Sequence, residues 1–320
     1  MKTLTLAGVM AATILAAPAL ATPPYPTRPV KIIVPYQAGQ GTDVATRYLA
    51  DYLTRAMGQS FVVENRPGAG GNIGAAEVAR AAPDGYTLLM GTNGTHALNQ
   101  YMYNGMPFDP DKDFDPVMLV STFPMVVLSH PSSPYASLAD LQDAAKAKPD
   151  TVNVGLPSTT ARLVFELLRQ QGVNSIRAIP YKGSGTSMTD LIGGQVALAI
   201  DTVSASRAFI ASGKVKALGV TSLKPTALLA GVKPIAAQGV DGFQVVAWNA
   251  IYAPKGTPPA VAGKINAELA KVLARPEVRQ RLLELGHEPA GGTPAELADF
   301  ARGERQKWGP LIEKVGLKAE

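Results

Sequence analysis

Val30-Lys31-Ile32-Ile33-Val34-Pro35-Tyr36 runs directly into Gln37-Ala38-Gly39-Gln40-Gly41-Thr42-Asp43. The β-branched first half has the length and composition of a buried strand, and the glycine-rich second half that of a turn. Behind the turn, residues 43–57 switch to helical spacing, with Val44, Leu49, Tyr52 and Leu53 on one face. The same order then returns: residues 61–64 predict a strand, 72–81 a helix and 86–90 a third strand. Strand followed by helix, repeated, predicts an α/β fold with a largely parallel sheet.

A second set begins at Met125-Val126-Val127-Leu128. It continues with a helix over 138–148 capped by Ser137, a strand over 152–155, a helix over 162–171, and strands over 176–179, 196–201 and 215–221. From Pro258 onward the pattern is helical, over 258–274, 276–285 and 294–315. Each of these helices has a proline near its first turn, where the missing N–H costs little. Two segments, Phe123-Pro124 and Val246-Ala247-Trp248-Asn249, read as crossings between lobes. The expected division is a discontinuous lobe I, 22–123 and 247–320, and a lobe II, 124–246, around a ligand cleft with a two-strand hinge.

The chain has 320 residues, 46% of them hydrophobic, enough for two domain cores. It opens Met1-Lys2-Thr3, carries no charge from Leu4 to Ala21, and reaches Ala19-Leu20-Ala21 before Thr22-Pro23-Pro24. A cationic start, an apolar run and an Ala-x-Ala site predict a secretory signal peptide over 1–21. A membrane anchor is the competing reading, but the run ends in small residues and prolines without a basic flank. No later run reaches the roughly 18 apolar residues of a membrane span. With 0 cysteines, burial alone must hold the core of an exported chain. The formal charge of +5 falls to +4 without Lys2 and includes no dense basic run, which argues against nucleic acid. A mild positive balance is compatible with an anionic small molecule, or is simply a solubility charge.

Enzyme signatures are missing from the sequence. His96, His130 and His287 are scattered, so with no cysteine a zinc site is not expected. Neither a Gly-x-Ser-x-Gly elbow nor a phosphate-binding loop occurs. The cluster Gly68-Ala69-Gly70-Gly71-Asn72-Ile73-Gly74 follows a strand and opens a helix. Yet Ile73 stands where a dinucleotide fingerprint needs its third glycine, so a close-approach turn is the better reading. No cofactor, metal or catalysis is expected.

Longer motifs carry a resemblance. They are Tyr25-Pro26-Thr27-Arg28-Pro29 ahead of the opening strand, Val63-Glu64-Asn65-Arg66-Pro67 leading into the glycine cluster, and Ala82-Pro83-Asp84-Gly85-Tyr86. Pro180-Tyr181-Lys182-Gly183, Gly193-Gly194-Gln195-Val196, Ala253-Pro254-Lys255-Gly256-Thr257-Pro258 and Lys307-Trp308-Gly309 follow. From Tyr25 to Glu320 the chain resembles the Bug family, the solute-binding proteins of tripartite tricarboxylate transporters. The resemblance implies a periplasmic-binding-protein-like Venus flytrap of two α/β lobes. It also implies a small carboxylate ligand (citrate-like, dicarboxylic, amino-acid or aromatic) and delivery to integral-membrane transporter subunits. The expectation is a periplasmic monomer that is not an enzyme. A sensor signalling to a membrane kinase, and more distantly a secreted hydrolase or lyase, are the alternatives.

Candidate ligand residues follow from the loops. Tyr36, Gln37, Gly41, Thr42 and Asp43 join a strand end to a helix N-terminus, where free N–H groups and the helix dipole favour an anion. Asp43 is the expected N-cap there, a role open to Thr42 as well. Thr92, Asn93 and Thr95, in the loop after the third strand, either position ligand or close a turn. Across the cleft stand Ser158, Thr159, Thr160, Tyr181, Lys182, Gly183 and Ser184. Asp201, ending an apolar strand, is either the acid that the family carries near its ligand or a turn former. The family's second-lobe loop usually reads Gly-Ser-x-Gly-x-Gly-Thr-x-x-His. Here Gly155-Leu156-Pro157-Ser158-Thr159-Thr160-Ala161-Arg162 is two residues shorter, with Arg162 in place of the histidine. Arg162 is either a cation for the ligand or a solvated residue of a first helical turn.

Overall fold

The computed structural model describes residues 25–147 and 150–318; the expected signal peptide lies outside them. The opening strand, β1 (Val30–Val34), is buried except at Lys31. It pairs in parallel with β2 (Phe61–Asn65) and β3 (Thr87–Thr92), joined by the crossover helices α1 (Gly41–Met57) and α2 (Asn72–Ala79). A one-turn α3 (Asn99–Met102) leads to the 16-residue β4 (Phe114–Ser129). The second set is α4 (Leu138–Ala147), β5 (Val152–Leu156), α5 (Thr159–Gln170), β6 (Ile176–Pro180), α6 (Ser184–Ile192), β7 (Leu198–Thr202), α7 (Val203–Ala211) and β8 (Lys216–Val220). The chain returns through β9 (Val246–Pro254) and ends in α8 (Pro259–Ala274), α9 (Pro276–Glu284), β10 (Glu288–Gly291) and α10 (Pro294–Val315).

The strands form one path, β2-β1-β3-β9-β4-β7-β5-β6, with β8 and β10 also on β4. The wings are parallel, as the alternation predicts, but the seam is not. Five of the nine strand pairings among the described residues are antiparallel, which corrects the expectation of a largely parallel sheet. The reason is β4, whose first part, to Pro124, pairs with β9 and whose second, from Met125, pairs with β7 and β8. A chain that crosses from one wing to the other and later returns beside itself must run antiparallel there.

Apolar side chains hold both wings to this seam. One cluster, including Ile32, Leu49, Ile251 and Val272, fills the space between the first wing and α1, α8 and α9. The other runs from Ile33 and Leu89 through Phe123 and Trp248 to Val154 and Leu198 of the second wing. Helix α1 ends on Gly58 at φ +71°, with nothing within 4 Å of where a Cβ would sit. Gly58→Ala therefore adds left-handed backbone strain and no clash, and should lower stability by about 1 kcal/mol. A chemical-denaturation midpoint unchanged from wild type would show that this turn relaxes freely.

Candidate functional site

Four helices begin at one small cavity. Its walls include Gln40, Gly41 and Thr42 at the start of α1, Ser158 and Thr160 at α5, Ser184 at α6, and Thr202 at the N-cap of α7. Ser158 and Thr202 cap their own helices by accepting from the Ala161 and Ala205 amides. Helices α1 and α6 have no side-chain cap, so first-turn N–H groups there are left for another acceptor. Each N-terminus carries about half a positive charge, and four together make a strongly anion-favouring field.

The crossing strands supply the floor, through Phe123, Met125, Ala247 and Trp248. The cavity volume is ≈ 50 Å³. Two bonds hold its first-wing side: Tyr36 and Thr92 hydroxyls lie 2.8 Å apart, and Thr42 donates to Asn249 Oδ1 at 3.0 Å. Asn93 Nδ2 donates to Thr160 Oγ1 at 2.8 Å and ties the two wings across the cleft. At Gly70, φ +62°, a Cβ would stand 2.6 Å from the Tyr103 hydroxyl and 2.9 Å from Thr159 Oγ1. Only glycine lets the second wing come this close, which is the close approach expected of the glycine cluster.

Asp201 is the charged residue of the cavity. Its Oδ1 accepts from Ser184 Oγ at 2.8 Å and the Thr202 amide at 2.7 Å, while Oδ2 is buried with no partner. Burial pushes its carboxyl up to about 6. An orphaned buried acceptor beside an anion-favouring field calls for a donor, such as a water or a ligand hydroxyl, or for its own proton.

The predicted residues divide. Tyr36, Gly41, Thr42, Thr92, Asn93, Ser158, Thr160 and Asp201 surround this cavity. Gln37, Thr159, Arg162, Tyr181 and Lys182 line an adjoining one, which shares Tyr36 and Ser158. Asp43, Thr95 and Gly183 line neither. Asp43 is also not the N-cap: Gln40 is, and Asp43 sits on the third helical residue. Its carboxylate accepts from the Gly39 amide at 2.8 Å, Asn65 Nδ2 at 2.9 Å and Arg47 Nε. Burial opposes ionisation there, but these partners hold the group below the usual carboxylate range. Asp43 thus braces the loop from behind.

Thr95, 1% exposed, accepts from the Thr92 amide at 3.0 Å. The expected loop around it is instead the end of β3 followed by a π-helical turn, Gly94–Leu98. Gly183 lies against Gln37 and Gln40. Ser184, expected to face the cleft beside Gly183, lines the small cavity; the sequence reading missed Thr202 and the floor side chains. Trp248 was within reach of that reading, since its segment reads as a crossing.

Comparison with known proteins gives a consistent result. Residues 45–317 match the family described as tripartite tricarboxylate transporter family receptor. Protein BugT of Bordetella pertussis is 34% identical over 320 residues, covering 99% of this chain and 98% of BugT. A solved structure from R. palustris with adipate has a TM-score of 0.88 at 36% identity, covering 91% of this chain and 98% of that one. MatC from Rhodopseudomonas palustris with bound malate has a TM-score of 0.83 at 30% identity, covering 90% and 100%.

Proposed function

The chain belongs to the tripartite tricarboxylate transporter receptor family, and from that premise we propose that it is a periplasmic receptor that captures a small carboxylate, releases it unchanged and catalyses nothing. The observation that carries the carboxylate reading is the convergence of four helix N-termini on one hydroxyl-lined cavity. Relatives with adipate and malate support it. Residues 25–123 with 247–318 form lobe I and 124–246 lobe II, and the crossings in β4 and β9 are the hinge. Asn93 and Thr160 latch the closed form. Integral-membrane transporter subunits receive the ligand, as in the family.

Thermal shift against carboxylates, neutral amides, amines and sugars tests this reading. A carboxylate that binds only the folded state raises the melting temperature by mass action, and mass spectrometry should recover it chemically unchanged. Thr160→Val removes the acceptor of the cross-cleft bond at nearly constant volume. It should weaken every bound acid about tenfold, the worth of one buried hydrogen bond. Stabilisation by sugars or amines and by no acid, or turnover of the acid, defeats the proposal.

A further inference from the structure

The adjoining cavity is much larger, ≈ 480 Å³, and chemically unlike the first. Its walls include Arg162, from the first turn of α5, and Lys182, from the segment before α6, and among the described residues they include no Asp or Glu. Tyr103, Leu156 and Pro157 give it apolar surface. The inner cavity is the reverse: its charged residue is the acid Asp201.

Size separates their roles. At about 30 Å³ per water, the inner cavity holds one or two waters or a single carboxyl-sized group. The outer one falls within the range of about 300–1,000 Å³ that whole small molecules occupy. A molecule anchored in the inner cavity and larger than its anchor extends past Tyr36 and Ser158, the walls the two share, into the outer one. There it meets Arg162, whose guanidinium is held at the wall by donating to the Lys318 carbonyl at 3.3 Å.

Granted the carboxylate reading, we infer that the outer cavity is a second anion subsite, read by Arg162 and Lys182, which selects elongated acids bearing a distal anionic group beyond an apolar segment. The apolar segment lies along Tyr103, Leu156 and Pro157. Arg162 contributes most, because it is partly buried and held, whereas Lys182 is exposed.

Calorimetry with matched acids tests this on the purified protein: pimelate against heptanoate, and suberate against octanoate. Wild type should bind each diacid at least tenfold more tightly than its monoacid. Arg162→Gln should weaken the diacids by roughly ten- to a hundredfold and the monoacids less than twofold, as for loss of one charge-assisted contact. Arg162→Lys should recover part of the loss, and Lys182→Gln should lose about threefold for diacids alone. Melting temperatures of the unliganded variants separate binding from folding. Equal loss for diacid and monoacid would show that Arg162 supports the lobe. Wild-type affinities equal within each pair, or diacid losses under twofold in both glutamine variants, would overturn the subsite and leave the carboxylate reading standing. If neither diacids nor monoacids bind wild type, the elongated-acid subsite fails, while the thermal-shift panel decides the carboxylate reading separately.

Discussion

Lowering the pH from about 7 to about 4.5 should remove about 3 kcal/mol of folding stability, because two buried imidazoles oppose one buried carboxyl and win. His96 and His287 are both fully buried, and burial holds them down to about 3 and about 4. Each stays neutral in the fold while unfolded histidine protonates near 6.5. Their contribution is therefore complete above that value and is lost as the pH falls toward the folded values. At somewhat over 1 kcal/mol per pH unit, two units below 6.5 withdraw between about 2 and 3 kcal/mol from each, about 5 together.

Asp201 acts in the other direction. Its carboxyl is raised from 3.8 to about 6, so its contribution is greatest below 3.8 and is lost as the pH rises through 6. Acidification to about 4.5 returns roughly 2 kcal/mol of that loss. Denaturation midpoints at the two pH values measure the net. Asp201→Asn should stabilise the unliganded protein at pH 8 and change it little near pH 4, isolating the opposing group. A flat or inverted pH profile in wild type is incompatible with neutral buried imidazoles.

The parallel wings were legible because β1, β2 and β3 announce themselves by local composition, and the turn behind β1 by its glycines. The antiparallel seam was not. Whether Phe123 continues a strand across a boundary or ends it depends on what lies beside it, and β9 comes from more than a hundred residues later. Strand β10 was missed because its four residues include Pro289 and Gly291, and only pairing with β4 makes them a strand.

The site shows the same division. Thr42 and Asn93 follow strands at positions that any α/β fold points toward a cleft, so they were found. Asp43 has the chemistry of an N-cap, but the turn Gln37–Gln40 starts the helix at Gly41, two residues before it, and the carboxylate closes back on Gly39. Ser184 was found as the neighbour of Gly183 in a segment facing the cleft, whereas Thr202 carries no local mark. Thr202 matters because α7 starts at the same point in space as α6, which only the folded chain defines.

The second large effect lies outside the cavity, at the buried arginine of α10. Arg305, with 8% of its side chain exposed, donates to the His96 carbonyl at 2.8 Å and pairs with Asp111. Asp111 is 61% exposed, so that ion pair adds little. The carbonyl decides the outcome: it belongs to the π-helical turn that follows Asn93 and includes Thr95, and without Arg305 it loses a buried charge-assisted donor. Arg305→Met keeps much of the apolar stem and removes the guanidinium. Losing that charge-assisted bond and the poorer packing should together lower stability at pH 7 by about 3 kcal/mol. The same variant should lose less on acidification than wild type, because after burial it is the Arg305 charge that holds the His96 imidazole down. Loosening the turn should also weaken monoacids and diacids by equal factors, unlike Arg162→Gln, since Asn93 latches the cleft whatever fills the outer cavity. A variant within about 0.5 kcal/mol of wild type at pH 7, the range of ordinary surface substitutions, would mean that the turn holds without Arg305.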